Sequence, residues 1–470
     1  MSDHIPFSSL GDTKFDINDP AAVVPPARGP VMTAIESHDA VGFVAVNTTT
    51  GEHSTASFRY LTAISSPFNS AYVYTNSGPT LCVQSETAEQ AMRTKYRALN
   101  EQIDTDCSNS LTGHDDTTTA GDTQTDHADS DITIPVSQDS NPIGIQAAAV
   151  LDSARKTETE TECADTRTVL VPATIPHDTA IHVEQAGYTL QSTSAVTSAR
   201  IEKDATERQA IRIAQSAGLA AVNRIESQLT DMTVTDERLM LGGKSVTTQQ
   251  LERIVAVELA RRGVGGADCV CVITTESTVS QLSRHISAGT LSSTSTPIQP
   301  GVPIQIGICP RGPSGYHGLV WRTIVIESEG GWERRAHIAV EAALETAINR
   351  AEPGISLATI YNEALAELAA FGFNPSASDN STDHSETVDT MIHGVGLSRR
   401  ERPYIDSEMT LKPGVVLAIA PGIFNVEDGG VRLCDVISIH EDGISIAGNQ
   451  TDSSDSINRS LTPTADSYSS

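Results

Sequence analysis

The order of apolar and polar positions divides the chain into stretches of different rhythm. From about Pro30 to Arg97, short runs (VGFVAV, YLTAI, SAYVYT and TLCVQ) read as strands, and a helix-like stretch begins near Glu86. The segment that follows, DTDCSNSLTGHDDTTTAGDTQTDHADSDITIPVSQDSNP, is acidic and aperiodic, so a disordered insertion is expected near residues 104–141. Regular structure is expected to resume with IQAAAVLDSARK, a VLVPA strand and a HDTAIHVEQAG helix. These complete an α/β unit over residues 30–197.

Helical spacing then takes over. Ala210, Ile213, Ala214, Ala217 and Ala221 predict a long helix from Ser198 to Arg224. Leu251, Ile254, Val255, Leu259 and Ala260 predict another from Thr248 to Arg262, stopped by Gly263, Gly265 and Gly266. In WERRAHIAVEAALETAINR the positions Ala336, Val340, Leu344 and Ile348 form one stripe, which Pro353-Gly354 ends. Ser356 is an N-cap for the next helix, whose face is Ile360, Ala364, Leu368 and Phe371 and whose end is Gly372. Around this pair lie strand-like runs at 302–308, 319–327, 415–424 and 431–439. Helices beside hairpin-connected strands predict an α+β domain over residues 198–445. Residues 446–470 have no pattern and are expected to be a disordered tail.

Composition changes this picture in three ways. The hydrophobic fraction is 38% and aromatics are 4%, so part of the length is not core. Sixty acidic residues against 31 basic ones give a net charge of −29, which excludes nucleic acid as a partner because no basic stripe is available for phosphates. Lysine occurs only at positions 14, 95, 156, 203, 244 and 412, and a carboxylate-rich, lysine-poor surface fits a salt-rich cytoplasm. Seven cysteines form no CxxC pair and no framework, so they read as reduced thiols. The start MSDHIPFSSLGD lacks the basic and apolar runs of a signal peptide, and no segment has the roughly 20 apolar residues of a membrane span. A cytoplasmic protein without membrane attachment is the expectation.

One stretch points to chemistry. IHGVGLSRRERPYI, residues 392–405, sets His393 in a glycine-flanked turn ahead of a charged cluster. In chain order, GYHGLVWRT, the helix pair, HGVGL, LKPGVVLAIAPGIF and GGVRLCDVISI resemble the pita-bread metallopeptidases, which comprise Xaa-Pro aminopeptidases, Xaa-Pro dipeptidases, methionine aminopeptidases and creatinase. The resemblance covers roughly residues 198–445, and RYLTAI with ARIEKDATERQAIRIA resembles the smaller creatinase-type N-terminal domain.

The resemblance implies a pair of divalent metals such as Mn, Co or Zn, held by two aspartates, a histidine and two glutamates. His393 matches the histidine. The aspartate places fall on Ile308 and Leu319, and the glutamate places on Ala420 and Cys434. None of these four offers the hard oxygen such ions need. No metal is therefore expected, and His393 is the one candidate catalytic residue. Arg400 stands where active relatives commonly carry a second histidine. Arg400, Glu401 and Tyr316 are the candidate binding residues. The blander alternatives are that His393 is kept by packing, that Cys434 is a small buried thiol, and that Arg400 and its neighbours pair with surface carboxylates. The resulting expectation is a non-catalytic pseudopeptidase that binds a peptide or protein or regulates one, as a homodimer or paired with an active paralogue. Two alternatives stay open: an active metal-dependent Xaa-Pro aminopeptidase or dipeptidase, and a metal-free creatinase-like hydrolase.

Overall fold

In the computed structural model, which describes residues 24–48, 52–110, 133–158, 167–264, 267–274, 295–373, 386–405, 409–425, 427–448 and 458–463, the first strand-like runs join in one mixed sheet. Its unit comprises α1 (Gly29–Ser37), β1 (Gly42–Asn47), α2 (Glu52–Thr62), β2 (Ser70–Thr75), β3 (Gly78–Val83) and α3 (Glu86–Ser110). It continues with β4 (Val136–Gln138), α4 (Ile143–Glu158), β5 (Thr168–Pro172), α5 (His177–Gln185), β6 (Thr189–Thr193) and α6 (Ala195–Ala199). The strand order is β4-β3-β2-β1-β5-β6. Alternate side chains leave on opposite faces. Phe43, Ala45, Tyr72 and Leu81 therefore pack with α1, α2 and α3, whereas Val44, Val46, Val73 and Cys82 pack with α4 and α5. Burial on both sides explains why β1 is an unbroken apolar run rather than an alternating one.

The expected insertion near 104–141 is corrected at both ends. Helix α3 runs on to Ser110, and β4 adds to the sheet edge beside β3, with Ile134 fully buried ahead of it. The alternation in ITIPVS is a strand signal that its acidic surroundings hid. Positions 111–132 lie outside the described residues.

The second unit opens with α7 (Ala205–Thr230), later than the expected Ser198. Asp204 and Glu207 form a capping box that starts a new helix after α6 has ended. Next come β7 (Thr233–Thr235), β8 (Arg238–Leu241), β9 (Lys244–Ser245), α8 (Thr248–Arg261), β10 (Ala267–Ile273), β11 (Ile304–Pro310) and β12 (Val320–Ile324). The remainder is α9 (Trp332–Arg350), α10 (Leu357–Ala370), β13 (Glu386–Gly394), β14 (Glu401–Tyr404), β15 (Val416–Asn425), β16 (Gly429–Arg432), β17 (Asp435–His440) and β18 (Gly443–Ile446). Helices α8, α9 and α10 lie where their apolar stripes predict them. The Ser356 hydroxyl accepts from the Thr359 N–H, and Gly372, just past the Phe371 cap, takes the left-handed backbone (φ +89°) that closes α10; Gly354 (φ +89°) turns the chain three residues after α9 ends at the Ala351 cap.

Two sheets follow from these strands, β10-β11-β12 and β14-β13-β15-β17-β18 with β16 on β15. The outer face of the first, with Ile304, Ile306, Ile308, Val320 and Ile324, packs on α7 and α8. Ile392, Leu417, Ile419, Ile437 and Ile439 of the second pack on α9 and α10. The inner faces meet in an apolar cluster of their own. Between them, the Cys434 N–H donates to the Trp321 carbonyl at 3.0 Å. That bridge interrupts the single strand expected over 431–439, leaving β16 and β17 on either side of it.

The disordered tail expected over 446–470 also needs correction. Ala447 is buried, and residues 458–463 dock on the second unit: the Asn458 carbonyl accepts from Arg322 Nε at 3.0 Å, and the Leu461 carbonyl accepts from the Val325 N–H at 2.7 Å. Local polarity gave no sign of this, because the docking depends on holes supplied by distant elements. Residues 449–457 and 464–470 lie outside the described set. Among the described residues, no helix is long and apolar enough to cross a membrane.

Candidate functional site

His393 lies at the end of strand β13 rather than in a turn, in register with Ala418 of β15 and Tyr404 of β14. Its strand neighbour Ile392 belongs to the outer, helix-facing core, so alternation turns His393 inward beside Ala418. The ring is buried, and Nδ1 lies 3.0 Å from the Gly394 carbonyl, which can only accept. Nδ1 therefore carries the proton of the neutral ring. Burial, with a smaller contribution from the Arg400 charge, outweighs the opposing Gly394 carbonyl and Glu401 and lowers the pKa to about 4.

The cluster that holds Ala418, the register partner of His393, is apolar. Leu319, Ala420 and Cys434 belong to one buried cluster with Trp321, Val395 and Val436. The Cys434 thiol donates to the Leu319 carbonyl at 3.6 Å, and burial followed by the Asp435 charge pushes its pKa up, so it is a neutral thiol.

Ile308 is not among these inner residues. It packs outward with Ile304 and Ile306, and the inward positions of β11 are Gln305, Gly307 and Cys309. Counting back from Gly315-Tyr316 assumes a fixed loop length, whereas period-two alternation leaves no such freedom. At Gly307 a Cβ would stand 2.6 Å from two ring carbons of Trp321 and 2.8 Å from Cys271 Sγ. The absence of a side chain there is what admits the indole. Arg432 lies alongside, its guanidinium 5.6 Å from the Trp321 ring and 4.8 Å from that of Phe424, with Nη2 donating to Asp389 Oδ2 at 2.5 Å. Among the described residues, no group of three or more His, Cys, Asp and Glu gathers in a way that could hold a metal ion.

The candidate binding residues are separated by their partners. Glu401 is buried, paired with Arg200 and with Lys203 (2.8 Å), and accepts from the Ser398 N–H at 3.2 Å. Burial alone would raise its pKa, but these two cations overcome that effect and hold it at about 2. It is thus an internal counter-ion, already neutralised from within the fold. Tyr316 is also buried and donates to Glu207 Oε1 at 2.7 Å. Arg400 alone is exposed, its guanidinium 5.8 Å from the Tyr404 ring. The structure brings Glu401 within electrostatic reach of His393 but points no carboxylate of the trio into open space.

A second buried lattice lies directly behind Cys434. Asp435 Oδ1 accepts from Arg322 at 2.8 Å and Oδ2 from Arg459 at 2.7 Å; burial opposes ionisation, but the two guanidinium groups lower its pKa. Sequence reasoning missed Arg200, Lys203, Trp321, Arg432 and Arg459. Trp321 alone had a local signal, a large ring two residues from a presumed ligand position. The others find their partners far away in the chain.

The profile of metallopeptidase family M24 matches residues 206–441. An Xaa-Pro dipeptidase of Pyrococcus furiosus is 31% identical over 130 residues, covering 27% of this chain and 34% of that protein. The aligned stretch thus spans about a third of that relative's length. In overall structure the chain is similar to the prolidase from Pyrococcus horikoshii OT3 (TM-score 0.64, 16% identity, 90% and 97% of the two chains). It is also similar to an Xaa-Pro dipeptidase from Bacillus anthracis (TM-score 0.63, 15% identity, 90% and 96%). These likenesses give the second unit the pita-bread fold, with a smaller α/β domain ahead of it.

Proposed function

The chain belongs to metallopeptidase family M24, and from that premise we propose that it is a non-catalytic member, a pseudopeptidase that binds a peptide or regulates another protein. The observation that carries this reading is the composition of the inner faces to which His393 also turns: Gly307, Cys309, Leu319, Ala420 and Cys434, with the Trp321 indole between the sheets. Two divalent ions, the cofactor that the resemblance implies, need several hard oxygens converging on one point. Leucine, alanine, glycine and two buried thiols, of which burial keeps Cys434 neutral, do not fit that requirement, and no step through a metal is derived for this chain.

The same geometry argues against a metal-free hydrolase. A histidine with a pKa of about 4 is almost wholly neutral at pH 7 and is far from the value that suits a general acid or base. As to location, buried cysteines outside any disulfide at 82, 271, 309 and 434 are in keeping with a reducing, cytoplasmic setting. A homodimer, or pairing with an active paralogue, belongs to the same proposal.

Metal content by mass spectrometry tests the reading, on protein purified in molar salt and incubated with Mn or Co, together with an assay on a proline dipeptide. Substoichiometric metal and no turnover are expected. Stoichiometric metal with turnover abolished by His393→Ala would overturn the proposal in favour of an active Xaa-Pro peptidase, and turnover that persists in chelator would favour the creatinase-like alternative.

A further inference from the structure

Outside the strand-lined site, a cavity of about 100 Å³ opens between α2 and α3 of the first unit and the turn at residues 311–316 of the second. Its walls include Leu99, Leu397 and Pro313, with Tyr60, Tyr316 and Arg59 as polar groups. Arg59 is part-buried. Its Nη2 donates to the Pro313 carbonyl at 2.8 Å and its Nη1 to the Ser65 hydroxyl, while Lys95 Nζ donates to the Ser65 carbonyl. Gly315, at φ +86°, lets the turn lie flat against the guanidinium, which a Cβ there would overlap.

Each acceptor on these two cations is neutral. Elsewhere the fold supplies buried cations with carboxylates: Glu401 serves Arg200 and Lys203, Asp435 serves Arg322 and Arg459, and Asp389 serves Arg432. Among the described residues neither Arg59 nor Lys95 has such a partner, although the chain's net charge is −29. The nearby Glu207 carboxylate is engaged by Tyr316. Arg311 adds a third positive charge close enough to be felt: burial first and Arg311 second lower the pKa of Arg59 to about 10. Desolvated positive charge beside an apolar hollow is a recognition surface for an anion with a hydrocarbon body.

We propose that this inter-domain cavity binds a small organic carboxylate, its oxygens on Arg59, whose buried Nε has no hydrogen-bond partner within the fold, and its aliphatic part against Leu99, Leu397 and Pro313. The volume restricts the buried part to a few heavy atoms, since about 150 Å³ accommodates a benzene ring. A free short-chain acid and the last residue of a peptide share this chemistry. The inference does not rest on the pseudopeptidase reading, because Gly307, Cys309, Leu319, Ala420 and Cys434, on which that reading stands, do not line the cavity.

Calorimetry on the full chain at constant ionic strength tests it, with isobutyrate as probe and isobutyramide as its neutral counterpart. Saturable binding is expected for the acid alone, and Arg59→Gln is expected to weaken it by about tenfold or more, the value of a charge-assisted hydrogen bond. If circular dichroism shows that variant to be unfolded, Leu99→Trp, which fills the hollow and leaves the guanidinium in place, is expected to abolish binding. Equal heats from acid and amide, no binding of isobutyrate, or undiminished binding in either folded variant would overturn the assignment. A third arm compares N-acetyl-alanyl-leucine with its C-terminal amide. Binding of this acid more tightly than isobutyrate identifies a peptide terminus as the source, and weaker binding identifies a free acid.

Discussion

Cys434 and Asp435 are consecutive residues in two regions built on opposite terms. Cys434 faces a cluster of Leu319, Trp321, Ala420 and Val436 in which the charged groups an M24 resemblance would call for are absent from the described side chains. Asp435 enters a lattice in which Arg322 and Arg459 are buried and paired. One region is stabilised by apolar contact and shape, the other by charges that are tolerable only together. The comparison teaches that the scaffold's electrostatics and the site's chemistry are separable. The fold keeps a demanding ionic lattice one residue away from a centre that is hydrophobic.

Removing one anion from the ionic side is the harshest test of this contrast. Asp435→Ala strands two buried guanidinium groups and is expected to cost about 5 kcal/mol, at the top of the range for broken buried pairs, read as a fall in the urea midpoint or as loss of folded protein. A cost below about 1 kcal/mol would show the lattice to be ornamental. On the apolar side, Trp321→Ala leaves a cavity between the sheets and is expected to cost about 4 kcal/mol, with partial recovery when a small apolar ligand is added. If the variant instead gains metal affinity, the centre is less apolar than its side chains imply.

A subtler test uses protons. His393 has a folded pKa of about 4 against an ordinary value of 6.5, so the unfolded chain binds the extra proton between those values. Its contribution is fully present above pH 6.5 and is lost as pH falls to 4, about 3 kcal/mol in all. Comparing urea unfolding of the native chain and His393→Gln across that interval isolates this slope. Parallel curves would mean that the imidazole is wetter than its surroundings suggest. The smallest effect calibrates the rest. Ser356→Ala removes the cap of α10, distant from both regions, and is expected to cost about 1 kcal/mol with no change in pH dependence.

Much of the architecture was legible from local pattern. The stripes of α8, α9 and α10 and the runs of β11, β12 and β15 announce themselves because each buries a face with its own period. The break between β16 and β17 and the docking of Arg459 and Leu461 were not legible, because both are set by partners distant in the chain, Trp321 and Arg322 among them. The candidate site divides in the same way. Leu319, Ala420 and Cys434, read from short fixed motifs, share one inner cluster, whereas Ile308, reached by a count through a loop, faces outward. Glu401 looked available in the sequence because its cations, Arg200 and Lys203, lie some two hundred positions earlier.

The fit of Gly307 under the Trp321 ring also sets a direction in sequence space. Any side chain introduced at 307 collides with the indole, while shrinking the indole alone opens a void that destabilises the protein. Neither position tolerates change by itself, so the pair acts as a two-position lock that only concerted substitution opens.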